Sequence, residues 1–141
     1  METSEVRKRL LQTIARAKQE ASARRGETDQ AAIEFERFLE NVATPVVRQF
    51  AGALRAEGYP FQIVTPAGLV RLESENARQD TIEIALDTSE QPVVVGRTNR
   101  GRGRRLVTEE RPLREGVQVA NLTDEDVLEY LLSVIPPFVE R

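Results

Sequence analysis

The sequence contains no cysteine and no histidine. Without them, Ser-His-Asp and Cys-His nucleophilic sites cannot be assembled. Zinc, haem and iron–sulfur centres lose their usual ligands. No disulfide can form, so the fold has to rest on a buried core. Tryptophan is also absent, aromatic residues make up 5%, and lysine occurs only at Lys8 and Lys18 against eighteen arginines. A phosphate loop ends in Lys followed by Ser or Thr, and neither lysine follows a glycine-rich turn. No strand–GxGxxG–helix unit occurs either, so no cofactor is expected. Long apolar runs are missing. No window approaches the ~18 apolar residues of a membrane span. Leu10-Leu11 is the longest early run, against the about 7–15 residues of a signal peptide. These absences predict a cytoplasmic protein with no membrane role.

What is present suits one soluble globular unit. The chain has 141 residues, 40% hydrophobic and 30% charged, with a net charge of −3. A core burying roughly two-thirds of the unfolded surface is within reach at this length. No internal repeat is visible.

The first half follows a helical period. Val6, Leu10, Ile14 and Ala17 recur every three or four residues, which predicts a helix over 4–24 with a thin, alanine-rich stripe. Gly26 is expected to end it, dividing the chain into a basic N-terminal helix (1–25) and an α+β domain (26–141). Thr28 or Asp29 can cap a second helix. Ala32, Phe35, Leu39, Val42, Val46, Phe50 and Leu54 then form a strong stripe. A helix over 29–57 spans about 43 Å. Pro45 sits inside it, so a kink or short break is expected near residue 44. Gly58 is the stop.

Beyond Gly58 the period changes to two. Phe61 to Thr65, Val70 to Glu73 and Ile82 to Leu86 alternate as strands with one buried face do. Val93-Val94-Val95 has no polar alternate and reads as an interior strand covered on both faces. Leu106 to Thr108 and Val117 to Val119 are further candidates. Thr123 and Asp126 open the last helix with a capping-box spacing, and Leu122 and Val127 are placed as a hydrophobic staple. Pro136-Pro137 ends it. Strands joined by short connections predict an antiparallel meander. The expected fold is therefore α+β and two-layered: helices on one face of an antiparallel sheet of about five strands, in the order α-α-β-β-β-β-β-α.

Charge is segregated. Residues 1–25 carry +4, 26–96 carry −7, 97–114 carry +5 and 115–141 carry −5. The densest stretch holds Arg97, Arg100, Arg102, Arg104 and Arg105 with two glycines among them. Its flanks place it at a hairpin tip. Guanidinium groups match phosphate oxygens, so these five arginines are candidates for binding phosphate or an acidic partner. Against a nucleic-acid role stand the negative net charge and the lack of any aromatic between Phe61 and Tyr130 to stack bases. A solvated tip whose like charges suppress edge pairing explains the same residues. Glu73, Glu75 and Glu83 can be imagined around a divalent cation. Pairing of Arg71 with Glu83 across strands is the simpler expectation.

The leading functional expectation is a small non-enzymatic interaction or structural module, homodimeric, with a protein partner of unknown identity. Val6, Leu10, Ile14, Phe35, Phe38 and Leu39 form the expected dimer face, because so long a stripe exceeds what a small sheet can cover. Phosphate or nucleic-acid binding through 97–105 is the alternative.

Overall fold

A computed structural model describes residues 1–140. Helix α1 runs Thr3–Phe38, continues through a π-turn at Leu39–Ala43, and resumes as α2 at Thr44–Ala56. Five strands follow: β1 Phe61–Val64, β2 Leu69–Ser74, β3 Thr81–Asp87, β4 Val93–Arg102 and β5 Arg105–Pro112. A 3-10 turn at Val119–Asn121 leads to α3 Asp124–Val134 and the short α4 Pro136–Val139. The sheet order is β1-β2-β3-β4-β5, every pair antiparallel. This is the expected α+β meander.

Gly26 does not stop the first helix. A glycine ends a helix by entering the left-handed region. Gly58 does so at φ 93°, whereas Gly26 is not among the glycines of positive φ. The interruption near residue 44 takes the form of the π-turn. Pro45 has no N–H to give to the carbonyl four residues back, and its ring crowds that turn. Widening the turn ahead of it relieves the crowding, and Thr44 donates its amide to the Leu39 carbonyl, five residues back.

The sheet closes on the helices through one face. Val70, Leu72, Ile82 and Ile84 are each 1% exposed and pack with Phe35, Phe38, Ala43, Val47, Val127 and Leu131. Each such aliphatic side chain contributes about 1.5–3 kcal/mol by leaving water. Register places these residues directly opposite one another: Leu72 faces Ile82 and Val70 faces Ile84. Between β1 and β2, Gly68 takes φ 83° in a turn closed by the Leu69 amide on the Pro66 carbonyl. This is the left-handed position a type II turn needs. At the C-terminus Thr123 and Asp126 form the complete capping box. Leu122 and Val127 both enter the core. Phe138 folds back edge-on against Phe61, with ring centroids 6.3 Å apart.

Two strand assignments change. Val117–Val119 is not a strand; Val119 opens the 3-10 turn instead. The β4 strand does not end at Val95 but continues to Arg102, and β5 begins at Arg105. Within β4, Val94 joins the core while Val95, on the opposite face, is also buried.

Candidate functional site

The N-terminal helix is the least supported element. Its 36 residues span about 54 Å. Only Ala31, Phe35 and Phe38 of it are buried. Val6, Leu10, Leu11 and Ile14 stand 50, 56, 55 and 40% exposed. Steps of 100° per residue put Leu10, Ile14, Ala17, Ala21, Ala31, Phe35 and Phe38 along one side. The stripe that faces the core therefore continues without a turn into a free arm. Phe35 and Phe38, expected at a dimer face, belong to the core of their own chain, at 3 and 5% exposure. Their rings pack on each other at 6.0 Å. Leu39 is half-buried against the same core. Of the expected interface, Val6, Leu10 and Ile14 remain accessible.

The arginine cluster lies at the end of a hairpin, as expected, and most of it is strand. Arg102 pairs with Arg105, which leaves Gly103-Arg104 as the two-residue turn. Gly103 has φ 65°, and Gly first with a non-glycine second is the arrangement of a type II′ hairpin. The β3 strand pairs with β4 only as far as Asn99, so the last three pairs of the hairpin overhang the sheet. Strand alternation divides the arginines by face. Arg97 lies on the open face with its Nε 2.9 Å from Glu110. That hydrogen bond raises its pKa against the opposing effect of burial. Arg100 lies on the helix-facing side and lines the same groove as Tyr130. Arg102 and Arg105 share the side of Arg100, and Arg104 occupies the turn. No carboxylate among the described residues lies within 4 Å of Arg100, Arg102, Arg104 or Arg105.

The base of the overhang is clamped. The Gly101 amide donates to Asp80 Oδ1 at 2.8 Å. The Gln79 side chain lies across Gly101, where a Cβ would meet its Nε2 at 2.1 Å. The Asn99 amide nitrogen reaches the Thr81 hydroxyl, and the Thr108 hydroxyl donates to Asn99 Oδ1 at 2.7 Å.

A groove of about 420 Å³ separates this hairpin from α3 and α4. Gly96, Thr98 and Arg100 of β4, with Val107, Glu109 and Arg111 of β5, form its floor. Tyr130 and Ser133 stand over it. The Tyr130 ring occupies the space a side chain at 96 would need, its Cζ 1.9 Å from an ideal Cβ. Arg111 stacks on that ring at 5.3 Å and donates to the Ser133 hydroxyl. Burial pushes the Tyr130 phenol up to about 12, with Arg111 pulling the other way.

The open sheet face carries a row of alternating charge: Arg71, Glu83, Arg97 and Glu110 on four neighbouring strands. Arg71 lies 3.4 Å from Glu83 and 3.6 Å from Glu73. Glu75 is elsewhere. It lies past the end of β2 and pairs with Arg55 of α2 at 2.5 Å. The three carboxylates therefore do not converge, and among the described residues no group of three or more candidate ligands is placed to hold a metal.

Sequence reasoning missed Gly96, Tyr130 and Arg111 as one contact. The available signal was a glycine inside an otherwise apolar strand, which marks close approach by another element. No family model, no curated protein and no solved structure matches the chain.

Proposed function

We propose that the protein is a non-enzymatic interaction module that pairs with a second copy of itself through the helical arm of α1. The observation that carries this reading is the arm's unpartnered apolar stripe, collinear with the stripe that enters the core. Helices without tertiary support are marginal in water even at ~12–15 residues of good formers. Gly26 weakens this one further, by about 1 kcal/mol relative to Ala. A partner that covers Val6, Leu10 and Ile14 supplies the missing support.

Charge favours a second copy as that partner. The arm is basic, and residues 26–96 are acidic. Beside the π-turn, Phe35, Leu39, Leu86 and Ala32 line a groove rimmed by Glu36 and Glu40. An amphipathic helix with Arg7, Arg9 and Lys18 around Leu10 and Ile14 matches such a groove in shape and sign. Fully burying an aliphatic side chain contributes about 1.5–3 kcal/mol, so three half-exposed ones in each arm, six across a symmetric pair, support association in roughly the micromolar range.

Sedimentation equilibrium tests the reading. The chain should sediment at twice its 15.9 kDa mass, and Leu10→Asp with Ile14→Asp should return it to monomer. Reversing Glu36→Lys and Glu40→Lys should weaken the dimer. A wild-type monomer at concentrations well above micromolar would overturn the proposal.

A further inference from the structure

We propose that the overhanging end of the β4–β5 hairpin binds the phosphate backbone of duplex DNA. This inference rests on residues 97–111 and does not depend on the arm.

What sets these arginines apart is that four without a carboxylate partner among the described residues fall within residues 100–105. Arg55, Arg71, Arg97 and Arg114 each stand against a carboxylate. Arg100, Arg102, Arg104 and Arg105 do not, among the described residues, and the last three are exposed. Four guanidinium groups with no carboxylate within 4 Å among the described residues repel one another on so short a ribbon, and a polyanion relieves that repulsion. The II′ turn and the Asp80 and Gln79 clamp at Gly101 fix the ribbon before any ligand arrives. Less backbone freedom is then lost on binding.

Shape selects the ligand. Arg102, Arg104 and Arg105 are exposed at the end of a two-stranded ribbon, with Arg100 lining the groove behind them, and this spread along the ribbon fits a row of phosphates better than one. A two-stranded ribbon fits the major groove of B-form DNA, whereas the A-form groove of duplex RNA is too narrow and deep. Single strands are held by stacking on exposed aromatic rings. The nearest ring, Tyr130, is 3% exposed and occupied by Gly96 and Arg111. Glu109 lies on the groove floor, so phosphate contact is confined to the ribbon end.

Fluorescence anisotropy with a labelled duplex DNA and a labelled single-stranded RNA of equal length tests this at 50 and 200 mM salt. Four phosphate contacts predict a loss of roughly 10²-fold in duplex affinity between the two salts. The variant Arg100→Ala, Arg102→Ala, Arg104→Ala, Arg105→Ala should lose binding while keeping the wild-type melting temperature and far-UV spectrum. An arm variant, Arg24→Ala, Arg25→Ala, should bind as wild type. Absence of duplex binding at 50 mM salt would overturn the proposal. So would unchanged binding by the four-arginine variant, loss of binding in the arm variant, or tighter binding of the single-stranded RNA.

Discussion

Replacing Gly96 by alanine tests the packing of α3 on the sheet. An ideal Cβ at this position would sit 1.9 Å from Tyr130 Cζ and 2.3 Å from both Cε1 and Oη. Real Cβ atoms do not approach that closely, so either β4 moves or the ring leaves. Backbone shifts that accommodate an extra methyl in a packed site cost about 1–3 kcal/mol. Expelling a large aromatic side chain costs about 3–5 kcal/mol. Gly96→Ala should therefore destabilise by about 2–4 kcal/mol, a large fraction of the roughly 5–15 kcal/mol of a domain. Urea denaturation followed by circular dichroism reads the loss as a lower midpoint at an unchanged slope. A double-mutant cycle isolates the cause: in a Tyr130→Ala background the same substitution should cost less than about 0.5 kcal/mol. The phenol gives a second readout. In the wild type it is held near 12 by burial, so Tyr130 should not ionise as pH rises through the ordinary value of 10.0. In Gly96→Ala an expelled ring should ionise near that ordinary value, seen as absorbance at long ultraviolet wavelength. A Gly96→Ala protein within about 0.5 kcal/mol of wild type would refute the reasoning.

Gly26→Ala should raise helicity in the arm by about 1 kcal/mol of local stability, measured by circular dichroism, since Gly26 is helical with open space around it. Phe35→Ala should cost about 3–5 kcal/mol and Leu10→Ala almost nothing in denaturation of the isolated monomer, because one is core and the other is not. For Asp126, burial raises the carboxyl pKa, but the Thr123 amide and hydroxyl and Arg114 together hold it below its ordinary value of 3.8. Its folded pKa lies below its unfolded one, so its stabilisation is present above about pH 4 and is lost as pH falls through the depressed value. Asp126→Ala should cost about 1–2 kcal/mol at neutral pH and flatten the acid limb of a stability–pH profile.

The fold was largely legible because each element carries a redundant local signal. The alternation of Ile82, Ile84 and Leu86 and the Thr123–Asp126 box required no tertiary information. Errors arose where one residue type serves two purposes. Gly26 has the flexibility of a helix stop but lacks the left-handed backbone of Gly58. Phe35 and Phe38 lie on one stripe with Leu10 and Ile14, and periodicity cannot say where along a stripe the domain ends. The arginine segment lies at a hairpin tip as its flanks predict, but how far its strands extend was hidden because glycine and charge lower strand propensity. Its strand character comes from the Arg102–Arg105 pairing across the Gly103 turn, and from the clamp by Gln79 and Asp80 more than twenty residues away. The contact between Gly96 and Tyr130 joins a strand to a helix thirty-four positions on. Spacing rules have no access to that.

Self-association through the arm is tested most directly by amide hydrogen exchange of residues 3–25 in the wild-type chain, at about 1 μM and about 100 μM protein. If a second copy covers the stripe, protection of these amides should rise steeply with concentration, centred on Leu10 to Ile14, while β3 and β4 exchange equally slowly in both samples. Fast exchange throughout the arm at both concentrations would mean that the stripe has no partner in a second copy, and the proposed function would fail.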